Sequence, residues 1–168
     1  LASGLSHAPG LADKILCAYG INVGNQNDDD DLYGILKLAN DLFFYAPTIY
    51  IARAWKSGSA YLYRFNSPNP WEGRWQGEAA HITDLTMLLH NFDEFLTEEQ
   101  KGPGRDFSHD LLAFVSAKAP WKAFDGRESS AREYGSLTGD PRCFIWEILK
   151  EIDPDQLTGL LEGFLASG

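Results

Sequence analysis

Apolar residues recur at helical spacing along most of this chain, and at strand spacing in one place. Leu11 to Tyr19 is a short periodic run stopped by Gly20. Leu32, Ile35, Leu36, Leu38, Ala39, Leu42, Phe43 and Ala46 then recur every three or four residues, which predicts a helix ended by Pro47. A second helix is predicted from Thr48 to Lys56, carrying Ile49, Ile51, Ala52 and Trp55, with Gly58 as its stop. From Ala60 to Asn66 the period changes to two. Tyr61, Tyr63 and Phe65 alternate with smaller or polar residues, the pattern of a buried strand. Pro68 and Pro70 cannot donate to a ladder, so the strand stops before them.

The rest of the chain is mostly helical in pattern. Ile82 to Leu89 reads as a helix with Asp84 in its opening turns. Residues 93 to 101 are acidic and helical, and Gly102-Pro103-Gly104 is expected to break them. Asp106 to Lys118 is a further amphipathic helix with Leu111, Leu112, Phe114 and Val115 on its apolar side, ended by Ala119-Pro120-Trp121. Residues 125 to 141 read as a glycine-rich loop. Phe144 to Leu149 fits a strand or a helical turn, and Asp153-Pro154-Asp155 caps a final short helix with Leu157, Leu160, Leu161 and Phe164.

Five or so helices thus accompany one clear strand. A buried strand needs neighbours for its N–H and C=O groups, because leaving them unpaired in a core is costly. The pattern offers at most one partner. Most of the sheet is therefore expected from residues outside this sequence, leaving apolar faces such as Leu36/Phe43 and Leu111/Val115 uncovered.

Composition narrows the chemistry. The 168 residues fit one domain, and 44% hydrophobic against 23% charged content places the chain among globular proteins. A net charge of -10 argues against a nucleic-acid surface and against anionic membranes. The most apolar stretch, Leu42 to Trp55, is too short for a membrane span and is interrupted by Pro47 and Arg53. Cys17 and Cys143 lie far apart without a Cys-x-x-Cys pair, which excludes a disulfide scaffold and a cysteine-rich zinc site; their mutual pairing stays open. The chain starts with Leu1, so the absence of a targeting segment is uninformative, and both a secreted and a cytoplasmic location stay open.

Neither a metal nor a cofactor is expected. Asp28 to Asp31 lack the central glycine and distant glutamate of a calcium loop, and read as the start of the following helix, where the dipole favours negative charge. A site joining His81, Asp84 and His90 fails on spacing, since nine residues put the two histidines on different helix faces.

His81 is placed as a general base would be, on a loop after the strand and before a helix. The order helix, Pro47, helix, Tyr-x-Tyr-x-Phe strand, Asn-Pro-Trp loop and Gly-Glu-Ala-x-His resembles the C-terminal part of type-B carboxylesterases, in the branch common in fungi. The matching residues are Tyr61, Tyr63, Phe65, Asn66, Pro70, Trp71, Gly73, Trp75, Gly77, Glu78, His81, Asp84 and Leu85. Asn91, Gln100, Phe114, Pro120 and Trp121 fall where that family has a helix ending at Pro-Trp. The match runs from about residue 11 to about residue 125; residues 125 to 168 match less clearly.

The resemblance implies that residues 1 to 168 are the C-terminal portion of one α/β-hydrolase domain, helix-rich with one or two strands of its central sheet. It implies hydrolysis of small-molecule carboxylic esters by a Ser–His–acid triad, in which His81 takes the nucleophile's proton and returns it to the leaving alcohol. Asp84 would be a buried group steadying the His81 loop, not the triad acid. Trp71 and Trp75 have three readings: walls of an acyl pocket, packing, or a carbohydrate platform.

Two departures stand out. Many relatives carry glycine after the histidine where this chain has Ile82; if that position needs positive φ, a β-branched residue is strained there. The Gly-x-Ser-x-Gly nucleophile turn is also absent. Gly4-Leu5-Ser6-His7-Ala8 lacks the closing glycine and any preceding strand, so it is read as chance. The oxyanion glycines and the triad acid are missing as well. This chain alone is therefore expected to be inactive, with the missing N-terminal part of the domain as its partner. The alternative is a catalytically dead remnant or a binding protein on an esterase-like scaffold.

Overall fold

A computed structural model describes residues 10–22, 28–79, 82–127 and 130–135, with Gly159 and Glu162. Helices dominate, and the described strands form one two-stranded parallel sheet, an α/β arrangement. The chain divides into two compact units, residues 1–54 with 141–168, and residues 55–140.

In the first unit, α1 spans Leu11–Ala18. Helix α2 spans Asp28–Asn40, so Asp28 to Asp31 form its first turn. The chain then continues through a π turn, Asp41–Tyr45, into α3, Ala46–Ala54. Pro47 does not end the helix, contrary to the expectation from sequence. The preceding turn widens instead: the Ala46 N–H donates to Asp41 O, five residues back. In an α register Pro47 would owe Phe43 a hydrogen bond it cannot give, and its ring would meet that carbonyl.

Ile15, Tyr19, Leu38, Leu42, Ala46 and Ile49 are buried in this unit. Buried Asp41 accepts from the Tyr19 hydroxyl at 2.7 Å and from the Asn40 amide at 3.2 Å, which offsets the cost of taking a carboxylate out of water. The end of α1 crosses α2 so closely at Gly34 that a Cβ there would collide with the Tyr19 carbonyl and the Ile21 side chain. Leu36 remains exposed, whereas Phe43, expected uncovered with it, is half-buried.

In the second unit, β1 (Tyr63–Phe65) pairs in parallel with β2 (Arg132–Tyr134), with Tyr63 opposite Arg132 and Phe65 opposite Tyr134. The segment 125–141, expected as loop, thus supplies the partner strand. Arg-Glu-Tyr shows no alternation because its apolar content is a single ring, that of buried Tyr134. Bonds from Arg132 N–H to Leu62 O (2.8 Å) and from Asn66 N–H to Tyr134 O (2.7 Å) extend the ladder at both ends. β1 is only partly buried, and Tyr63 remains 41% exposed.

Helix α4 covers Thr83–Leu88, a 3-10 turn covers Asp93–Phe95, and α5 covers Glu98–Val115. Gly102-Pro103-Gly104 does not divide α5; Pro103 lies inside it. The expected break fails for two reasons. Thr97 and Gln100 form a reciprocal capping box that nucleates the helix upstream. Gly104 is buried against α4, where a Cβ would stand 2.8 Å from Met87 O and 3.0 Å from Met87 Cβ, so the helix crossing needs glycine. The ring of Phe107 then lies 4.7 Å from that of Tyr63 and 5.0 Å from that of Tyr134, which packs α5 onto the sheet. At the far end of α5, Val115 stays 68% exposed, whereas Leu111, expected uncovered beside it, is half-buried.

Candidate functional site

The site begins where β1 ends. Asn66, fully buried, donates its side-chain amide to Glu133 Oε1 of β2 at 2.8 Å. The loop that follows is closed by two backbone bonds: Asn69 N–H to Glu78 O, and Gly77 N–H to Asn69 O, both 2.8 Å. Asn69 Oδ1 also accepts from the Trp71 backbone N–H at 3.0 Å, an Asx-type turn that fixes the chain there. Trp71, partly buried, meets Phe92 edge-on at 5.7 Å. Trp75 is exposed, and the Arg74 guanidinium lies 5.2 Å from its ring centre. Each of the two tryptophans is thus held by its own contact.

His81 lies outside the described residues, as do Ser6, Cys143, the segment Phe144 to Leu149 and the capping sequence Asp153-Pro154-Asp155. Cys17 is exposed. The described structure resumes at Ile82, whose φ is 68° and ψ 1°. The position after His81 therefore does need the left-handed conformation, and a β-branched residue occupies it. Such a residue costs on the order of 1–3 kcal/mol there.

Asp84 is half-buried, not buried as expected. Its Oδ2 accepts the Tyr63 hydroxyl at 3.1 Å, and its Oδ1 accepts the Leu85 N–H at 2.8 Å. The carboxylate thus ties the first turn of α4 to β1. Burial, and then the charge and hydrogen bond of Asp84, push the Tyr63 hydroxyl up to about 12, so it remains a donor through neutral pH.

The other end of α4 brings together three side chains that no sequence pattern had joined. His90, beyond the helix in the left-handed region (φ 54°), has Nδ1 3.1 Å from Asp93 Oδ2 and Nε2 3.0 Å from Ser108 Oγ. Ser108, on α5, also lies 3.0 Å from Leu88 O and 2.8 Å from Gly104 O. His90 and Asp93 are four and three tenths exposed or thereabouts, at 36% and 32% of their side chains. The His-x-x-Asp spacing could have flagged the pair; Ser108 could not have been found, since only the α4–α5 crossing brings it there.

A third cluster is structural. Buried Tyr134 donates to Asp110 Oδ2 at 2.7 Å, and Arg132 Nε approaches the same oxygen at 3.3 Å. Burial and the Asp110 bond raise the Tyr134 hydroxyl far above its usual range.

Among the described residues no cluster of His, Cys, Asp or Glu could hold a metal ion. No described helix is long and apolar enough to cross a membrane. No family model, no curated protein and no solved structure matches this chain.

Proposed function

We propose that this chain is the C-terminal part of a serine carboxylesterase of α/β-hydrolase fold. In this reading His81 is the triad's proton carrier, and the nucleophile and acid lie in an N-terminal part of the domain. The observation that carries the reading is the unfinished sheet. The register turns the backbone groups of Tyr63 and Phe65 away from β2, and those of Glu133 away from β1. Among the described residues nothing bonds to either outer edge. Parallel strands are found almost wholly inside larger sheets covered on both faces, so two alone with both edges open call for further strands. The Tyr63–Asp84 tether adds support, because it anchors to β1 the helix that follows His81 by two residues.

The substrate would be a small carboxylic ester, with Trp71 and Trp75 as candidate walls of its acyl pocket. The test is the coding sequence upstream. It should encode a Gly-x-Ser-x-Gly turn between a strand and a helix, and the longer protein should hydrolyse p-nitrophenyl esters, an activity lost in His81→Ala. Its absence, or robust turnover by the 168-residue chain that His81→Ala abolishes, sinks the reading.

One observation favours the alternative, a catalytically dead remnant or binding protein. Ile82 holds a left-handed backbone next to His81, a strain that selection for a working loop would relieve with glycine.

A further inference from the structure

We propose that Ser108, His90 and Asp93 form a nucleophilic centre within this chain, reactive toward activated esters and phosphonates. It stands apart from the His81 reading and needs no residue outside the sequence. The geometry is that of an activated hydroxyl: Ser108 Oγ lies 3.0 Å from His90 Nε2, and His90 Nδ1 lies 3.1 Å from Asp93 Oδ2. A base within hydrogen-bond reach of a nucleophile, itself oriented by a third group, defines such a site irrespective of fold or chain order.

The carboxylate decides the tautomer. With Asp93 at Nδ1, the neutral ring keeps its proton there and leaves Nε2 bare toward Ser108. The hydroxyl has one proton and three acceptors, the Gly104 carbonyl (2.8 Å), the Leu88 carbonyl (3.0 Å) and His90 Nε2. Only the imidazole is basic enough to remove it. His90 is fixed by the chain as well as by its bonds, since its N–H donates to Met87 O at 3.2 Å in the left-handed turn that ends α4. The next two N–H groups, those of Asn91 and Phe92, carry no hydrogen bond to the described residues. The partial exposure of His90 and Asp93 leaves the ring open to solvent.

With a fluorophosphonate the step is a single displacement. Ser108 Oγ bonds to phosphorus, the P–F bond breaks, fluoride leaves, and the hydroxyl proton passes to His90 Nε2 and on to solvent. With an activated ester the same hydroxyl becomes an acyl-serine and the alcohol departs.

The experiment is labelling of the 168-residue chain, its helical fold first checked by circular dichroism, with a fluorophosphonate, the adduct located by peptide mass spectrometry. Ser108 should carry the label, and Ser108→Ala should lose that adduct. His90→Gln should slow labelling by at least ~100-fold, the usual contribution of a positioned base. In His90→Ala, added imidazole should restore part of the rate, which an unfolded variant could not show. Asp93→Asn should slow labelling on the order of tenfold or more, with Asp93→Glu recovering part of it, because the carboxylate acts by holding the tautomer. No adduct at Ser108 in the folded chain, or an undiminished rate in His90→Gln, overturns the proposal.

Discussion

The two ends of α4 repeat one local pattern and put it to different use. Each carries a histidine followed three residues later by aspartate, His81 with Asp84 and His90 with Asp93. Each also has a non-glycine residue in the left-handed region, Ile82 before the helix and His90 after it. At the N-terminal end the aspartate turns to the sheet and takes the Tyr63 hydroxyl. At the C-terminal end the aspartate takes the ring of its own histidine, and Ser108 from α5 faces the ring's other nitrogen. Spacing alone therefore does not settle what a His-x-x-Asp does. What settles it is which element packs opposite: β1 at one end, α5 at the other.

The comparison can be broken from the middle of the helix. Gly104→Val places a branched side chain where even a Cβ would stand 2.8 Å from Met87 O, so α4 must move off α5 and both ends should loosen. The expected loss is about 2–3 kcal/mol, the upper part of the overpacking range, read as a fall in the urea midpoint. An unchanged midpoint would mean that the close crossing does not hold α4.

Ser108→Ala should affect one end only. Leu88 O loses its donor and His90 loses a partner, at about 1–1.5 kcal/mol. Hydrogen exchange should speed at residues 88–93 and stay unchanged at 83–85. Equal acceleration at both ends would show that α4 opens as one unit and that its two anchors are not independent.

The opposite sign is expected for Ile82→Gly. Ile82 is 51% exposed, so its removal sacrifices little buried area, while its left-handed backbone is relieved. Set against the entropy glycine adds to the unfolded chain, the net gain should be about 1 kcal/mol, seen as a higher melting temperature. A loss would mean that Ile82 is held by contacts that outweigh the strain.

Tyr63→Phe gives the smallest effect, about 0.5–1 kcal/mol at neutral pH, because the bond to Asp84 is partly exposed. Its signature is in pH. The folded Tyr63 hydroxyl titrates at about 12, above its ordinary 10.0. Its neutral form is thus favoured by folding, so the contribution is complete below pH 10 and is lost as pH rises from there through about 12. Alkaline unfolding followed by circular dichroism should show this loss in the parent chain and a reduced slope between those values in Tyr63→Phe. Identical profiles would discount the tether.

Much of the layout could be read beforehand from neighbours along the chain. The 3.6-residue recurrence of Leu32 to Ala46 and the two-residue alternation of Tyr61, Tyr63 and Phe65 each mark an element, but not which side chains it buries: Leu38, Leu42 and Ala46 are buried while Leu32, Ile35 and Leu36 are exposed, and Leu62 is buried in place of Tyr63. The aspartates at 28–31 open α2, as the helix dipole favours. The prolines misled, and for a shared reason. A missing N–H is a local defect whose cost can be met by a widened turn before Pro47, or by the capping and packing around Pro103. Local signals show the defect and not its remedy.

Local chemistry thus marked most helices and β1, though not the continuity of the helices through Pro47 and Pro103, and set Asp84 three residues after His81. Folding alone chose the partners: Arg132–Tyr134 as the second strand, Tyr63 for Asp84, Ser108 for His90. Periodicity and caps act between residues a few positions apart, whereas Ser108 reaches His90 across 18 residues and β2 reaches β1 across more. Contacts at such separation depend on how whole elements pack, which no short window of the chain encodes.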